Sequence, residues 1–328
     1  MSIGSENSAW LLLTVPALLA SAPSDGWAQD DYPNRPIRLV VPTAPGGSTD
    51  IVARLLAQGL SERLARQVVV ENRPGASTII GTEIVAKAKP DGYTLLIGVS
   101  TMAMNPGIYK KLPYDTVRDF APITQAAFLP NLIIVHPSLP ARSVKEMIAL
   151  AKARPGEILY SSGGTGGNPH LTMELFASMA QIRMVHVPYK SGTAGMVAVL
   201  AGEVALMAQG ITSSIPHVRT GKLRALGVTS AVRVAVAPDI PTIAESGLPG
   251  FESLQWPGLM APAGTPREII ARLHKESVAI LRSPQARQAL SQDGSEVVAS
   301  SPEEFAALIR TEIAKWTRVI KAAGIQPE

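Results

Sequence analysis

The chain contains IRLVVPTAPGGSTD at residues 37–50 and ILYSSGGTGGNP at residues 158–169, two segments of the same build. Each starts with apolar residues typical of a buried strand, continues through a loop of Gly, Ser, Thr, Pro and Asn, and enters a predicted helix, over 50–60 and 169–180. Such loops leave backbone N–H groups free at a helix N-terminus, where the helix dipole also favours negative charge. An ordinary tight turn would explain either loop alone, but the pair predicts a clamp for an anion.

Strands and helices alternate along the chain, which is typical of an α/β protein with mainly parallel sheets flanked by helices. Capping signals mark helix starts at Ser143, Thr265 and Ser301, each followed by glutamate three residues later, and the last two are followed directly by proline at the first helical position. The predicted strands are 37–41, 68–71, 93–98, 132–135, 158–160, 184–187, 204–207, 223–228 and 254–260.

The N-terminus has features of a leader. Residues 10–20 form an apolar run too short to span a membrane, and the following Gly26-Trp27-Ala28 matches the small-x-small pattern of a signal-peptidase site. We therefore expect residues 1–28 to be a signal peptide and the mature protein to be periplasmic. Residues 1–9 contain Glu6 and no Lys or Arg, although signal peptides are normally positively charged there. A misplaced start codon, a weak leader or a disordered tail on a cytoplasmic protein would also explain this.

Composition excludes several classes of protein. The residues after the leader suffice for two α/β domains or one large one, and they contain no run of the ~18 apolar residues that a membrane helix needs. The leader carries Glu6 and Asp25 and no basic residue, so its removal raises the net charge from +4 to +6. This charge is scattered, which argues against nucleic-acid binding. The chain has no cysteine, which excludes disulfides and thiolate metal sites, and its five histidines have no metal-ligand spacing.

Two segments rich in Pro, Gly and extended-prone residues, 120–132 and 248–265, are candidate crossings between domains. The predicted organisation is a first lobe of residues 29–127, a second lobe of residues 128–254, and a return over 255–328 that completes the first lobe. This return includes predicted helices over 267–281 and 302–323. Two crossings side by side would form a hinge.

Further motifs point to one family. They are YPNRPIRLVVPTAPGGSTD at 32–50, VENRPGA at 70–76, KPDGYTLL at 89–96, VHVPYK at 185–190, GKLRAL at 221–226 and APAGTP at 261–266. In their order and spacing over residues 32–325, they resemble the Bug family, the extracytoplasmic solute-binding receptors of tripartite tricarboxylate transporters. The resemblance implies a type II periplasmic-binding-protein fold, in which two α/β lobes close a central cleft on a small organic acid. It also implies a monomer that meets the membrane permease subunits of the transporter transiently.

The resemblance further implies that one carboxylate is held mainly by backbone N–H groups, hydroxyls and ordered waters from matching loops of the two lobes. Carried onto this chain, the ligand-binding residues of the first lobe are Thr43, Ala44, Gly46, Gly47, Ser48, Thr49, Ser77 and Ser100. Those of the second lobe are Ser161, Ser162, Gly164, Thr165 and Asn168. No cofactor and no metal is implied.

One position departs from the family's pattern. After the predicted strand 204–207 many members carry an acidic residue, whereas this chain has Gln209. We therefore predict a carboxylic acid without an ammonium group, with Gln209 bonding a hydroxyl, an amide or a second carboxyl; a surface loop position for Gln209 is an equal alternative. Asp50 is predicted in the first helical turn, where it favours the dipole, and His170 is interpreted as a surface residue at a helix start.

The sequence also bears on two other classes of function. An α/β enzyme is disfavoured, because the loops contain neither Gly-x-Gly-x-x-Gly nor a P-loop, the chain has no Gly-x-Ser-x-Gly or His-Glu-x-x-His motif, and the serine-rich loops have no convincing base partner. A ligand-binding sensor for a membrane two-component kinase needs the same closure as a transport receptor, so it stays an alternative. The class of acid also stays open between dicarboxylates, tricarboxylates, aromatic acids and others.

Overall fold

Two mixed sheets with flanking helices form the molecule in a computed structural model that describes Met1 and residues 32–327. Apart from Met1, the predicted signal peptide lies outside the described residues. The strands are β1 (Ile37–Val41), β2 (Val68–Asn72), β3 (Thr94–Val99), β4 (Phe120–Gln125), β5 (Ala127–Val135), β6 (Leu159–Ser162), β7 (Val185–Pro188), β8 (Leu206–Gly210), β9 (Arg224–Val228), β10 (Leu254–Gln255), β11 (Pro257–Pro262) and β12 (Glu296–Val297). The helices are α1 (Ser48–Leu64), α2 (Ile79–Ala86), α3 (Thr101–Ile108), α4 (Val144–Ala153), α5 (Asn168–Ala180), α6 (Gly192–Leu200), α7 (Ile211–Arg219), α8 (Arg267–Leu281), α9 (Pro284–Gln292) and α10 (Pro302–Ala322).

The first sheet has the strand order β2-β1-β3-β11-β4. Within it β1 runs parallel to β2 and β3, and β11 runs antiparallel to β3 and β4. In the second sheet β5 pairs antiparallel with β8, β9, β10 and β12, while β6 is parallel to β7 and β8. The α/β class is confirmed, but the sheets are mixed rather than mainly parallel, because β5 and β11 run against their neighbours.

The chain passes between the two sheets at two adjacent points. Ala126 is the single residue between β4 and β5, and Trp256 is the single residue between β10 and β11. The N–H of Ala126 donates to the carbonyl of Pro257 at 3.0 Å, which ties the two crossings together. The predicted strand 254–260 is therefore divided, because its two parts belong to different sheets. The C-terminal β12, which the sequence analysis did not predict, pairs with the start of β5 beside these crossings.

One hydrophobic core extends through both sheets. Ile133 and Val135 of β5 face this core, whereas Leu132 and Ile134 face a second cluster on the opposite side of their sheet. A strand buried on both faces explains the unbroken apolar run at 132–135. Helix α10 packs on α3, β4 and α5, so it contacts elements beside both sheets. Among the described helices, none has the length and apolar character that crossing a membrane requires.

Helix starts follow the capping signals only in part. Ser301 and Glu304 form a complete capping box at α10. The hydroxyl of Ser143 accepts from the backbone of α4, but the reciprocal half of the box is missing there. Thr265 does not cap α8, because its hydroxyl donates to the carbonyl of Pro262 at 2.8 Å. Helix α8 begins after the proline rather than at it.

Candidate functional site

A cavity of about 810 Å³ lies between the two sheets, where β1, β3 and β8 end and where the chain crosses from sheet to sheet. Its volume is within the range of about 300–1,000 Å³ that is typical of small-molecule sites. The lining residues are 43–49, 99–101, 210–213 and 255–257 together with Thr78, Leu129, Pro130, Asn168, Pro169 and Asp293. Of the residues predicted to bind ligand, the cavity brings together Thr43, Ala44, Gly46, Gly47, Ser48, Thr49, Ser100 and Asn168.

Glycine stands at the N-caps of three helices that begin at the cavity. Helices α1, α5 and α7 start after Gly47, Gly167 and Gly210, and no side chain accepts from their first turns. By contrast, α4, α6, α9 and α10 each begin with a serine whose hydroxyl accepts from the helix backbone, and none of these four serines lines the cavity. Because the first N–H groups of a helix have no intrahelical acceptor, the cavity receives free donors and the positive ends of three helix dipoles.

A buried carboxylate holds the first loop in shape. Asp50 lies in the first turn of α1, as predicted, and accepts from the Gly46 N–H at 2.9 Å, from Arg54 Nε at 2.8 Å and from Asn72 Nδ2 at 2.9 Å. Asn72 Nδ2 also donates to the carbonyl of Thr43 at 3.1 Å. Burial by itself would raise the pKa of Asp50, but these hydrogen bonds and the Arg54 charge hold it below its usual value. Asp50 is therefore ionised, and through Gly46 and Asn72 it holds the backbone of the first loop in place.

The second loop turns its serines into the protein. The hydroxyl of buried Ser161 donates to the carbonyl of Gly195 at 3.0 Å, and Oγ of buried Ser162 lies 2.6 Å from Nε2 of His186. Ser162 thus does have a basic neighbour, which the sequence did not reveal because His186 comes from β7, another strand. Neither Ser161, Ser162 nor Gly164 is among the residues that line the cavity. Ser162 is fully buried and His186 is half-buried, and Ser162 Oγ also accepts from the Gly164 N–H at 3.1 Å, so the pair supports the conformation of the loop.

Two stacked histidines support this loop. The rings of His170 and His186 lie 3.8 Å apart between centroids, and Nδ1 of His170 accepts from the Gly166 N–H at 3.0 Å. His170 is only 3% exposed, so its interpretation as a surface residue is wrong. Burial, helped by the neighbouring His186, lowers the pKa of His170 to about 3, and burial lowers the pKa of His186 to about 4. Both rings are therefore neutral at physiological pH, as the Gly166 bond requires.

The free energy of unfolding should decrease as the pH falls from about 6.5 towards 4. Unfolded histidines take up a proton near pH 6.5, whereas His170 and His186 in the folded state do so only near 3 and 4. The unfolded state therefore binds more protons in this window, and each group contributes up to about 1.4 kcal/mol per pH unit. Burial raises the pKa of the adjacent Glu174, which acts with the opposite sign above its unfolded value of 4.5.

His186→Phe keeps a stacked ring and removes one of the two titrating groups. Urea unfolding of this variant between pH 7 and 4.5 should therefore show a shallower loss of stability than the wild type. An identical slope for the two proteins would contradict the assignment.

Three other predicted residues are not part of the cavity lining. Ser77 is exposed, and its hydroxyl accepts from Tyr109 Oη at 3.0 Å. Thr165 is exposed in the second loop. Gln209 is half-buried at the end of β8, where Nε2 donates to Ser213 Oγ at 3.2 Å. Gln209 immediately precedes Gly210, which does line the cavity.

The structure adds lining residues that the sequence analysis did not select. Thr78 lies next to Ser77 in a short turn whose backbone is left-handed, with φ of +73° at Thr78. Its hydroxyl bonds that of Thr101, another lining residue, at 2.9 Å. Asp293 is the one ionisable group among the described residues of the lining, and its Oδ2 accepts from Ser295 Oγ at 3.1 Å. A ligand carboxylate in this cavity therefore meets helix termini and hydroxyls instead of Lys or Arg.

A fully buried amide joins the cavity to the sheet crossing. Asn131 of β5 donates from Nδ2 to Oδ1 of Asn168 at 2.7 Å, and its own Oδ1 accepts from Nε2 of Gln255 at 3.0 Å. Asn168 is the first residue of α5, and Gln255 is the last residue of β10. Both of these partners line the cavity. The Asn131 amide thus sets the position of the α5 N-terminus relative to the crossing.

Two buried polar atoms beside the cavity have no hydrogen-bond partner within the described part of the chain. They are Oγ1 of Thr43 and Nε1 of Trp256, both in residues that line the cavity; Ser277 Oγ is the third such atom and lies elsewhere. A buried polar group without a partner costs free energy, so native structures rarely keep one without a reason. Two of these three atoms belong to residues that line the cavity, as expected for a site that binds a polar ligand.

Known proteins are similar to this chain in sequence and in fold. Residues 52–325 match the model of a family described as the tripartite tricarboxylate transporter family receptor. Protein BugT of Bordetella pertussis is 36% identical over 297 residues, which covers 90% of this chain and 91% of that protein. A solved R. palustris protein with adipate is 38% identical with a TM-score of 0.78, covering 91% of this chain and 100% of that one. MatC of Rhodopseudomonas palustris with bound malate is 30% identical with a TM-score of 0.73, covering 88% and 100%.

Proposed function

The chain belongs to the tripartite tricarboxylate transporter receptor family, whose members are periplasmic solute-binding proteins, and we propose that it captures a small organic acid in the cavity between its sheets and delivers it to the membrane subunits of such a transporter. The Bug-family resemblance and the periplasmic-binding-protein fold are confirmed by these relatives. Receptors of this family and fold are not enzymes. Export through a signal peptide at 1–28 and the monomeric state are part of the proposal.

One observation supports this function above the others. The three helices α1, α5 and α7 begin at the cavity after glycine and have no side-chain cap. A carboxylate oxygen can take the place of the missing cap, because backbone N–H groups at a helix N-terminus and the helix dipole both favour an anion. Glycine at these positions lets the oxygen approach the backbone, since no Cβ stands between them.

Backbone and hydroxyl contacts can supply enough binding free energy for a carboxylate ligand without a cationic side chain. Hydrogen bonds to a charged group contribute about 1.5–3 kcal/mol each, and a partly buried helix terminus adds up to about 2 kcal/mol. Four or five such contacts, reduced by the cost of ordering the ligand and closing the site, reach the roughly −8 kcal/mol of a micromolar receptor.

We expect a dicarboxylic or hydroxycarboxylic acid of moderate size. Relatives at 38% and 30% identity have been solved with adipate and malate. Gln209, half-buried beside Gly210, is neutral where many family members are acidic, which favours an acid without an ammonium group. Asp293 works against that preference, because its carboxylate belongs to the lining and could pair with an ammonium group. Acidic amino acids therefore belong in any test of specificity.

The proposed mechanism is closure of two lobes about the adjacent crossings at Ala126 and Trp256. In this proposal residues 29–127 and 255–328 form one lobe and residues 128–254 the other. The pairing of β12 with β5 adds a third connection beside the two crossings. Ligand shifts the open–closed equilibrium only through contacts made in the closed state, so donors from α1 and α5 must both engage it.

Thermal unfolding tests this function directly. Residues 29–328 would be unfolded and refolded to remove any bound solute, then heated with adipate, malate, citrate, benzoate, nicotinate, aspartate or glutamate. A ligand that binds only the folded state raises Tm, by an amount equivalent to about 2.7 kcal/mol at 100 times Kd. We expect a rise with adipate or malate that exceeds the rise with either amino acid. No rise with any of these acids would reject a carboxylate receptor.

A further inference from the structure

Trp256 occupies the point at which the chain passes from the second sheet to the first. It is the single residue between β10 and β11, it is 2% exposed, and it lines the cavity. Its ring packs edge-on against Phe305 of α10, with centroids 5.4 Å apart and an interplanar angle of 86°. The residue therefore touches the cavity on one side and the core at the crossing on the other.

The indole N–H of Trp256 lacks an acceptor. Nε1 is buried and has no hydrogen-bond partner in the described part of the chain, although an indole N–H is a donor only and normally finds an acceptor when buried. The other described tryptophan, Trp316, is equally buried but donates from Nε1 to Glu312 at 2.8 Å. Burial alone thus does not explain the unpaired donor. The second unpaired donor group at the cavity is the hydroxyl of Thr43, in the loop that follows β1 of the first sheet.

We propose that the indole N–H of Trp256 is a hydrogen-bond donor to an oxygen of the bound acid, and that this bond couples ligand binding to the orientation of the two sheets. The inference rests on the proposed function, because it needs an anionic ligand in this cavity. Nε1 is buried, so an oxygen reaches it only when the crossing shifts. An acid that pairs with this donor therefore favours the shifted arrangement over the one in which the donor stays unpaired.

The test compares Trp256→Phe with Trp316→Phe in residues 29–328, which contain no other tryptophan. The probe is whichever of the seven acids named above raises the wild-type Tm most. Trp256→Phe keeps an aromatic ring against Phe305 and removes the N–H, so affinity measured by calorimetry should fall about 10- to 100-fold. Trp316 lies outside the cavity, and Trp316→Phe should keep wild-type affinity and the ligand-dependent change in tryptophan fluorescence. Wild-type affinity in Trp256→Phe, or a fluorescence change that comes from Trp316, would overturn the inference while leaving the proposed function intact.

A second variant covers the case in which Trp256→Phe does not fold. In the Trp316→Phe background the remaining tryptophan can be replaced biosynthetically by benzothienylalanine, which keeps the bicyclic shape and has sulfur in place of the N–H. This protein should show the same loss of affinity, and wild-type affinity in it would reject the donor role. If the wild type itself binds none of the acids, the proposed function fails, and the inference fails with it.

Discussion

Gly47→Asp should abolish binding of organic acids without lowering Tm. Gly47 is the N-cap of α1, its φ of −85° suits any residue, and a Cβ built there meets no atom within 4 Å. An aspartate at this position accepts from the N–H groups of the first turn, which are the donors proposed for the ligand, and adds a negative charge. We expect affinity to fall at least about 100-fold, equivalent to about 2.7 kcal/mol.

The stability of this variant separates blocking from misfolding. Aspartate and glycine at an N-cap differ by only a few tenths of a kcal/mol, so Tm should stay within about 2 °C of the wild type. Ser143→Asp is the matched control, because it places the same charge at the N-cap of α4, outside the cavity. Calorimetry should give wild-type affinity for this control. Normal binding by Gly47→Asp would show that the acid does not use the α1 terminus.

Asn131→Leu should lower both stability and affinity. The side chain is fully buried and bonds Asn168 at 2.7 Å and Gln255 at 3.0 Å. Leucine of similar size leaves the buried Asn168 amide and the half-buried Gln255 amide without this partner, which we expect to cost about 2–4 kcal/mol of unfolding free energy. Affinity should fall as well, because Asn168 and the α5 N-terminus lose their link to the sheet crossing.

Urea unfolding of Asn131→Leu and Ser277→Ala provides the comparison. Ser277 is also a fully buried polar residue, but its hydroxyl has no partner in the described chain and lies away from the cavity. Removing it should therefore cost little stability and no affinity. Equal losses in the two variants would mean that the Asn131 bonds contribute nothing specific to the fold.

The sequence predicted much of the fold because its strongest signals are local. Strand β1 and helix α8 have the predicted bounds, and the strand–loop–helix units built around 43–49 and 161–168 are both present. The sheets are mixed because β5 and β11 pair antiparallel with their neighbours. This pairing depends on where the chain crosses between the sheets, which the spacing of hydrophobic residues does not indicate. The segment 254–260 reads as one strand, and its division at Trp256 was missed for the same reason.

The first loop of the candidate site was easier to predict from the sequence than the second loop. In the first loop the sequence order itself brings residues 43–49 to the start of α1, and all of them line the cavity. In the second loop, Ser161 and Ser162 turn inward because Gly195 and His186 supply partners from distant segments. Asp293 reaches the cavity from the segment after α9, 81 residues along the chain from Thr212 of α7. Such long-range neighbours leave no local pattern in the sequence.

The most direct measurement of the central claim is an amide NMR titration of refolded residues 29–328 with adipate, with malate in parallel. If a carboxylate binds at the α1 terminus, the backbone N–H protons of Gly47, Ser48 and Thr49 should move downfield as each gains a charged acceptor. When Gly47→Asp is titrated with the same acid, the N–H signals of Ser48 and Thr49 should not move. Saturable binding that leaves all three wild-type signals unmoved while others shift would contradict the account, because the acid would then be held somewhere else.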